Sequence, residues 1–261
     1  MLSNIQLFKS DDIDELNEKL WRTIYNKGNE LKFGGIEEVK DAREIFAVIQ
    51  LYGKALTDLY DGKLPKRWKF GEAANKVYIE MLKNPDKGEQ PYTYGERLHR
   101  YPIGVRVTTI VGIEGEGENV RPVIGEPTDS IFEQNQMWEA HDQLKYYIKA
   151  GLQSNQICGV IWIPSDRHLE HPPCFNWFQL RLSDGNKVSL RILFRSHDYG
   201  NACFANWGAI IRCFVDEVIE PAGGDLEELI CVSASGHIYK NDFDMVEALI
   251  GKVPDHIRRL L

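Results

Sequence analysis

Alternating apolar and polar positions on both sides of Asp184-Gly185 predict a β-hairpin in the second half of the chain. Apolar residues recur at strand-like spacing over residues 175–182 and again over residues 188–194. An Asp-Gly pair favours a tight turn, and a turn fixes which residues of the two strands face each other. A turn centred on this pair sets Cys174 opposite Arg195.

Apolar residues at helical spacing predict helices along much of the remaining chain. Capping residues and glycine or proline breaks suggest where these helices begin and end. The predicted helices run from about Ser10 for fifteen residues, from about Asp41 to Leu56, from Ala73 to Leu82, from Asp129 or Ser130 to Gly151, from about Ala205 to Val218, and from Asp242 to Ile250.

Three further segments predict strands. Residues 103–111 alternate, Ile157 to Ile163 is apolar at nearly every position as in a strand buried on both faces, and Glu228 to Ala234 is also strand-like. Glu114 to Glu118 predicts a mobile insertion within residues 103–129. The expected fold is α/β (α+β), with a single mixed sheet, the hairpin at its centre and helices packed on it.

The domain organisation follows from the length. We expect residues 1–261 to form one domain, with a helical N-terminal part over residues 1–90 and a catalytic core over residues 91–250.

Composition and charge exclude some classes of function. The 261 residues are 43% hydrophobic and 27% charged, which is typical of a globular protein. The net charge is −8, and no run of lysine and arginine exceeds two residues, so no nucleic-acid partner is expected. We therefore expect the partner to be a small molecule.

The cysteines indicate the compartment. Five cysteines occur at irregular spacings without a Cys-x-x-Cys pair, which suggests a reducing environment and no zinc framework. The sequence has no long apolar run and no signal peptide, so we expect a cytoplasmic protein without a membrane partner.

The predicted pairing of Cys174 with Arg195 suggests that this thiol is reactive. A cysteine reacts as the thiolate, and a nearby guanidinium favours that charged form and so lowers the pKa of the thiol. The alternative is that Cys174 is a small buried apolar residue, as most free cysteines are.

Several separated segments, taken in order, resemble motifs of the thymidylate synthase family. They are Pro91 to Gly95, Asp142-Gln143-Leu144, Pro172-Pro173-Cys174, Gln179, Arg195 to Asp198 with Asn206 eight residues later, and Gly236 to Tyr239. The resemblance covers Tyr94 to Asn241. The short C-terminus and the run from Tyr92 to Arg97 suggest the compact, archaeal-like or pyrimidine hydroxymethylase branch.

The resemblance implies transfer of a one-carbon unit from 5,10-methylene-tetrahydrofolate to C5 of a pyrimidine nucleotide, in a homodimer. Cys174 is the implied nucleophile, and Tyr94 would assist removal of the C5 proton. Glu44 would order water near the pyrimidine carbonyl, and Asp198 would face the folate. The alternatives are an aromatic residue packed under a loop for Tyr94 and a solvated helix carboxylate for Glu44.

The resemblance also implies a set of nucleotide-binding residues and no metal ligand. Arg195 would bind phosphate and keep Cys174 ionised, Asn206 would read the N3 and O4 edge of the base, and His237 and Tyr239 would hold the sugar hydroxyl. On sequence alone, a helix cap explains Asn206 equally well, and a core histidine is the alternative for His237. The full implied set is Arg195, Ser196, Asn206, His237, Tyr239 and Gln179.

The chain departs from the family pattern at the phosphate site. Ser154-Asn155-Gln156 stands where the family carries two adjacent arginines that are donated across the dimer interface. Phe175 also stands in place of a histidine, and Phe194 in place of a glutamine. Substitute phosphate ligands could come from four arginines, for each of which a surface charge is the alternative: Arg97, Arg100, Arg167 and Arg191.

The side chain of Asn206 favours a uridine nucleotide. Its carboxamide matches the N3 donor and O4 acceptor of uracil, whereas cytosine presents the reverse pattern. We therefore expect dUMP as the substrate, and the resemblance implies its methylation. Hydroxymethylation of CMP, dCMP or dUMP is the alternative, and a nucleotide-binding homologue that has lost catalysis is the second alternative.

Overall fold

The computed structural model describes residues 5–34, 39–66, 68, 72–107, 110–114, 121–124 and 128–251. The strands are β1 (Ile5–Ser10), β2 (Asn29–Gly34), β3 (Val39–Tyr52), β4 (Tyr101–Val107), β5 (Ile110–Glu114), β6 (Arg121–Ile124), β7 (Thr128–Gln134), β8 (Ser154–Val160), β9 (Phe175–Leu182), β10 (Lys187–Phe194), β11 (His197–Asp198) and β12 (Asp225–Tyr239). The helices are α1 (Ile13–Lys27), α2 (Lys54–Tyr60), α3 (Glu72–Lys83), α4 (Tyr94–His99), α5 (Gln136–Ala150), α6 (Cys203–Phe214), α7 (Glu220–Ala222) and α8 (Phe243–Leu249).

One mixed sheet of eight strands organises the protein. Its main path runs β1-β3-β12-β10-β9-β8, while β2 pairs with β3 and β11 pairs with β12. The β1–β3, β10–β12 and β11–β12 pairs are parallel, and the other pairs in this sheet are antiparallel. The expected single mixed sheet with packed helices is therefore confirmed.

The predicted hairpin is formed by β9 and β10. Gly185 and Asn186 adopt positive φ angles of 69° and 59° in the turn, a conformation that glycine and asparagine tolerate best. The strands pair one residue out of the predicted register until a bulge beyond Leu193 corrects it. The amide of Arg195 then donates to the carbonyl of Cys174 at 2.9 Å, as predicted. The hairpin is not fully central, because β9 lies next to the edge strand β8.

The helices cover one face of the sheet and bury its apolar side chains. Alternate residues of β10, such as Leu190 and Ile192, are at most 1% exposed and point into this core. Helix α6 contributes a wide apolar face that includes the fully buried Trp207 and Phe214. Helix α1 begins at the predicted place, where Asp12 caps the amide of Glu15.

The opposite face of the sheet is only partly covered in a single chain. We call it the open face and define it by the half-buried residues Phe46, Val48, Trp177, Gln179, Arg191, Leu193, Ile230 and Val232. Val160 at the edge of this face is 44% exposed. A partly apolar sheet face of this kind is typical of a surface that another molecule covers.

The helix predicted from Asp41 to Leu56 is wrong, because residues 39–52 form the long strand β3. The buried residues Ile45, Ala47, Ile49 and Leu51 follow a two-residue period, whereas the apolar residues between them lie on the open face. A strand with apolar residues on both faces also satisfies a helical pattern, which explains the error. Strands β1, β2 and β3 therefore make the N-terminal part mixed rather than helical.

The helix predicted from residue 129 or 130 begins later. Residues 128–134 form β7, which pairs with β4, and Asn135 caps α5 by accepting a hydrogen bond from the amide of Trp138 at 2.8 Å. The apolar residues Ile131 and Trp138 are 77% and 63% exposed, so neither side chain points into the core. Gly151 ends α5 in a left-handed conformation, as predicted.

Two further strand predictions need correction. Strand β8 spans residues 154–160 at the sheet edge and alternates between buried and exposed positions, so it is not buried on both faces. The predicted strand near residue 105 is β4, and residues 110–114 form β5. The predicted mobile insertion falls mainly on residues 115–118, which lie outside the described residues. Among the described helices, none is long and apolar enough to cross a membrane.

The central position of Leu190 leads to a stability prediction. Leu190→Ala should lower the free energy of unfolding by about 2–5 kcal/mol, because it leaves a cavity in the middle of the core. Arg181→Ala, on the exposed side of β9, should change it by no more than about 0.5 kcal/mol. Urea titration at one fixed protein concentration measures both values, and equal losses would contradict this account of the core.

Candidate active site

The predicted nucleophile lies where the hairpin begins. Cys174 immediately precedes β9 and is half-buried. The guanidinium of Arg195 donates to the carbonyls of Pro172 and Pro173 at 2.6 and 2.8 Å, and its Nη2 lies 3.9 Å from the Cys174 sulfur. Arg195 thus fixes the backbone around the thiol and also contacts the sulfur.

Burial outweighs the guanidinium at this thiol. Burial raises the pKa of Cys174, Arg195 opposes that change, and Asp198 adds to it. The sequence predicted a pKa lowered by Arg195, and this is wrong for the free protein because desolvation of the thiolate is the larger effect. Ionisation of Cys174 therefore requires a further source of positive charge or a change in its surroundings.

Tyr94 contacts the same backbone. Its hydroxyl oxygen accepts hydrogen bonds from the amides of Cys174 and Phe175 at 3.2 and 3.1 Å. Tyr94 opens α4, whose first turn is capped by the Thr93 side chain. Burial raises the pKa of the Tyr94 phenol well above its ordinary value, so the phenol carries its proton at neutral pH.

Two more tyrosines surround the thiol, and neither was predicted from the sequence as a site residue. Burial and the nearby Cys174 raise the pKa of Tyr78, and the same two causes raise the pKa of Tyr92 to about 12. Tyr78, Tyr92 and Tyr94 all line a cavity of about 470 Å³. Its remaining wall combines four apolar residues with four polar ones: Met81, Leu82, Pro91 and Leu169, and Gln90, Thr93, Glu170 and His171.

The Asp198 side chain orders the loop that follows β11. It accepts hydrogen bonds from the amides of Gly200 and Asn201 at 2.8 and 3.0 Å, and a further one from the Asn201 side chain. Burial raises the pKa values of Cys174 and Tyr239, and the same carboxylate adds to both increases; burial lowers the pKa of His237, and the carboxylate opposes that change.

Glu44 reaches this region from the neighbouring strand. It pairs with His237 in the β3–β12 register, and its carboxylate accepts a hydrogen bond from the Ser235 hydroxyl. The His237 and Tyr239 rings lie 4.8 Å apart, edge to face. Burial lowers the pKa of His237, so this imidazole is neutral at pH 7. Glu44 therefore lies with the predicted group although its element is a strand rather than a helix.

Asn206 lies in the first turn of α6 and contacts a buried histidine. Its amide nitrogen is 3.4 Å from Nε2 of His197. The His197 ring is 1% exposed and stacks on Phe194 with ring centres 3.9 Å apart. Burial, together with His237, lowers the pKa of His197 well below its ordinary value.

Two predicted site residues make no described contact with this group. Ser196 lies in the short segment between β10 and β11. Gln179 lies on the open face, where its amide donates to the carbonyl of Asn155 at 2.7 Å and accepts from Arg191 at 3.3 Å. The structure therefore places Gln179 with the missing arginine positions rather than with Cys174.

Asn155 and Gln156 are both exposed, because a bulge in β8 interrupts its pairing with β9 at these two residues. Of the four candidate substitutes, Arg97 is buried and paired with Asp166 at 2.8 Å, while Arg100 forms a two-pronged pair with Glu133. The guanidinium groups of Arg97 and Arg100 are therefore already paired with carboxylates and are poor candidates for phosphate ligands. Arg167 and Arg191 lack such a partner among the described ion pairs.

A possible metal-ligand cluster lies apart from this group. The ligand atoms of His99, Cys213 and Glu217 lie within 4.8 Å of one another. His99 already forms a hydrogen bond with Glu217 at 2.7 Å. Burial lowers the pKa of His99, but its hydrogen bonds and the charge of Glu217 together raise it by more, so the net pKa of His99 is raised. An ion pair therefore accounts for this contact. A larger cavity of about 780 Å³ between α1, β3 and α8 is lined by none of the predicted site residues.

Cys174 beside the guanidinium of Arg195, with three protonated tyrosines near it, thus lies at the start of the β9–β10 hairpin of a mixed sheet. The family model described as thymidylate synthase matches residues 68–261. The chain therefore belongs to the thymidylate synthase family.

Relatives from archaea support this membership. A protein of Methanosarcina barkeri named "Putative thymidylate synthase" is 34% identical over 232 residues, which cover 87% of this chain and 86% of that protein. Proteins of the same name from Methanosarcina mazei and Methanopyrus kandleri are 25% and 27% identical, over 87% and 78% of this chain and 86% and 79% of their own lengths. The resemblance and the archaeal affinity inferred from the motifs are thus confirmed.

The electrostatics of Cys174 predict how its reactivity depends on pH. In a Cys158→Ser background, which removes an exposed thiol, the iodoacetamide alkylation rate of Cys174 should rise with a midpoint above the ordinary pKa of cysteine. Only the thiolate reacts, and it predominates above the raised pKa. Asp198→Asn should lower the midpoint, because a negative neighbour is removed, and Arg195→Gln should raise it. A wild-type midpoint below that of a free thiol would contradict this account.

Proposed function

We propose that the protein transfers a one-carbon unit from 5,10-methylene-tetrahydrofolate to C5 of a uridine nucleotide, with dUMP methylation as the reaction. The observation that carries this proposal is the contact set of Cys174, which brings Arg195 to its sulfur and Tyr94 to its amide. Family membership supplies the reaction class.

In the proposed mechanism, the Cys174 sulfur adds to C6 of the pyrimidine. Addition makes C5 electron-rich, so that C5 can form a bond to the incoming carbon; the C5 proton must then leave, and the bond between C6 and the Cys174 sulfur must break to release the product and restore the thiolate. Because burial raises the pKa of the free thiol, we propose that nucleotide binding and proton loss to solvent accompany activation. Arg195 stabilises the thiolate at the moment of attack.

Tyr94 positions the nucleophile and guides the proton. Two amide donors already occupy its oxygen, and its raised pKa keeps it protonated. It is therefore a hydrogen-bond donor to a water or carbonyl rather than a base by itself. Glu44 is the carboxylate that we propose to accept protons through water, since it lies beside Ser235 and His237.

The nucleotide would be held at three points. Arg195 and Ser196 would bind the phosphate, neutral His237 and Tyr239 would hold the sugar hydroxyl, and Asn206 would read the base. A neutral imidazole can both donate and accept one hydrogen bond, which suits a hydroxyl group.

We propose that the cavity lined by Tyr78, Tyr92 and Tyr94 holds the folate. Its volume of about 470 Å³ and its aromatic and apolar lining suit a flat heteroaromatic ring. Tyr78, Tyr92 and Leu169 would hold that ring, and Asp198 would face it. When bound, methylene-tetrahydrofolate supplies the one-carbon unit and, for methylation, the reducing hydride. If water reached the transferred carbon instead, the product would be hydroxymethyl, which is the alternative outcome.

We further propose a homodimer that forms through the open face. That face carries apolar residues such as Val48, Leu193 and Val232 together with Arg191 and Gln179. Asn155 and Gln156 border it, so each could approach the partner's nucleotide. The amides of these two residues are weaker phosphate ligands than arginines, so we expect a weakened phosphate site.

A fluorinated nucleotide tests the reaction. The 5-fluoro analogue of dUMP with methylene-tetrahydrofolate should form a covalent adduct with the protein, because fluorine cannot leave C5 as a proton does. Intact mass spectrometry should show the added mass in wild type and in Cys158→Ala, and none in Cys174→Ala. A lack of adduct with both the uridine and the cytidine analogue would favour a homologue that binds nucleotides without catalysis.

Restoring the arginines tests the phosphate site. Asn155→Arg combined with Gln156→Arg should tighten dUMP binding by about tenfold or more, since a charged hydrogen bond contributes about 1.5–3 kcal/mol. The control, Leu152→Arg with Gln153→Arg, adds the same charge at exposed positions just before β8. Calorimetric titration compares both variants with wild type. An equal gain in the control, or no gain, would show that residues 155 and 156 lie away from the phosphate.

A further inference from the structure

A chain of hydrogen bonds runs from the interior of the sheet to Asn206. The Tyr199 hydroxyl donates to the Ser233 oxygen at 2.8 Å, and that oxygen lies 3.1 Å from Nδ1 of His197. On the other side of the ring, Nε2 of His197 lies 3.4 Å from the amide nitrogen of Asn206. The base-reading amide is therefore connected to a buried imidazole.

The His197 ring is held firmly in place. It stacks on Phe194 with an angle of 3° between the ring planes and contacts the Tyr199 and Trp207 rings edge to face. Because it is buried and neutral, one ring nitrogen carries a hydrogen and the other accepts. A fixed ring with one fixed hydrogen can orient a neighbouring amide.

The neighbours of the ring assign its hydrogen. With the amide of Asn206 oriented as in the structure, Nε2 faces the amide nitrogen, which can only donate; in this arrangement Nε2 is the acceptor and Nδ1 carries the hydrogen. Nδ1 then donates to Ser233, whose oxygen also accepts from Tyr199. The Ser233 hydrogen is free to point to the Cys231 sulfur at 3.7 Å. Every donor in this chain of groups then faces an acceptor.

We propose that His197 is the positioning residue that fixes the amide of Asn206 and thereby selects uracil over cytosine. This inference rests on the proposed function of Asn206 as the base reader. One amide hydrogen is held by His197, which leaves the second amide hydrogen for O4 of uracil and the amide oxygen for N3–H. A reversed amide, which cytosine requires, would set its oxygen against the lone pair of Nε2.

Binding measurements on the full-length protein test this selectivity directly. Calorimetry gives the affinities for dUMP and dCMP, and the ratio between them is the readout. His197→Phe keeps an aromatic ring against Phe194 but removes both nitrogens, and Ser233→Ala keeps the ring but removes the acceptor of Nδ1. Each variant should lower the preference for dUMP about three- to tenfold, as expected for the loss of one hydrogen bond.

Two further variants serve as controls. Asn206→Asp should reverse the preference, because a carboxylate repels O4 and accepts from the cytosine amino group. Phe204→Leu alters the packing against Trp207, which flanks His197, without touching a polar group. It should lower the thermal midpoint and leave the ratio unchanged. Thermal unfolding of each variant verifies that it is folded.

Two outcomes would overturn the inference. An equal loss of affinity for both nucleotides in His197→Phe and Ser233→Ala would make the ring purely structural. Tighter binding of dCMP by wild type would show that the amide faces the other way. The fluoropyrimidine adduct is independent of this ratio: an adduct with an unchanged ratio in the variants refutes only the role of His197. A changed ratio without an adduct supports His197 and refutes the proposed catalysis.

Discussion

The pairing of Arg195 with the backbone before β9 is the constraint on which the site depends. The guanidinium of Arg195 donates hydrogen bonds to the carbonyls of Pro172 and Pro173, and the backbone amide of Arg195 donates to the carbonyl of Cys174. Prolines lack an amide hydrogen and cannot join a sheet ladder as donors, so a side chain has to fix this segment. The same residue that holds the thiol in place thus also brings a positive charge to within 3.9 Å of the sulfur.

Burial sets the charge state of the site before any ligand arrives. It raises the pKa values of Cys174 and Tyr94 and lowers those of His197 and His237, so each of these groups is favoured in its uncharged form. An uncharged interior avoids the cost of desolvating ions in the free protein. The electrostatic balance must then change when a nucleotide with a charged phosphate enters.

Turn and capping residues correctly predicted the elements that depend on neighbouring residues alone. The Asp184-Gly185 turn set the hairpin, and the Asp12 cap set the start of α1. Strands β3 and β7 escaped prediction, because apolar residues on both faces of β3 mimic a helix and because β7 is defined by its partner β4. Pairing between distant segments has no local signature.

Some contacts of the candidate site could likewise be predicted from local sequence, and others could not. Hairpin register was enough to bring Cys174 to Arg195, whereas the contact of Tyr94 with Cys174 joins residues 80 apart in sequence and needed the family resemblance. The sign of the Cys174 pKa shift could not be inferred, since proximity to a charge is visible in a register but the degree of burial is not. Tyr78 and His197 were missed because only their three-dimensional neighbours make them notable.

The buried pair of Arg97 and Asp166 has a mechanical consequence. Arg97 belongs to the helix that Tyr94 opens, and Asp166 also accepts from the amide of Ile163, just before the turn that leads toward Pro172. The ion pair therefore holds the helix of Tyr94 and the segment that leads to Cys174 in a fixed position relative to each other.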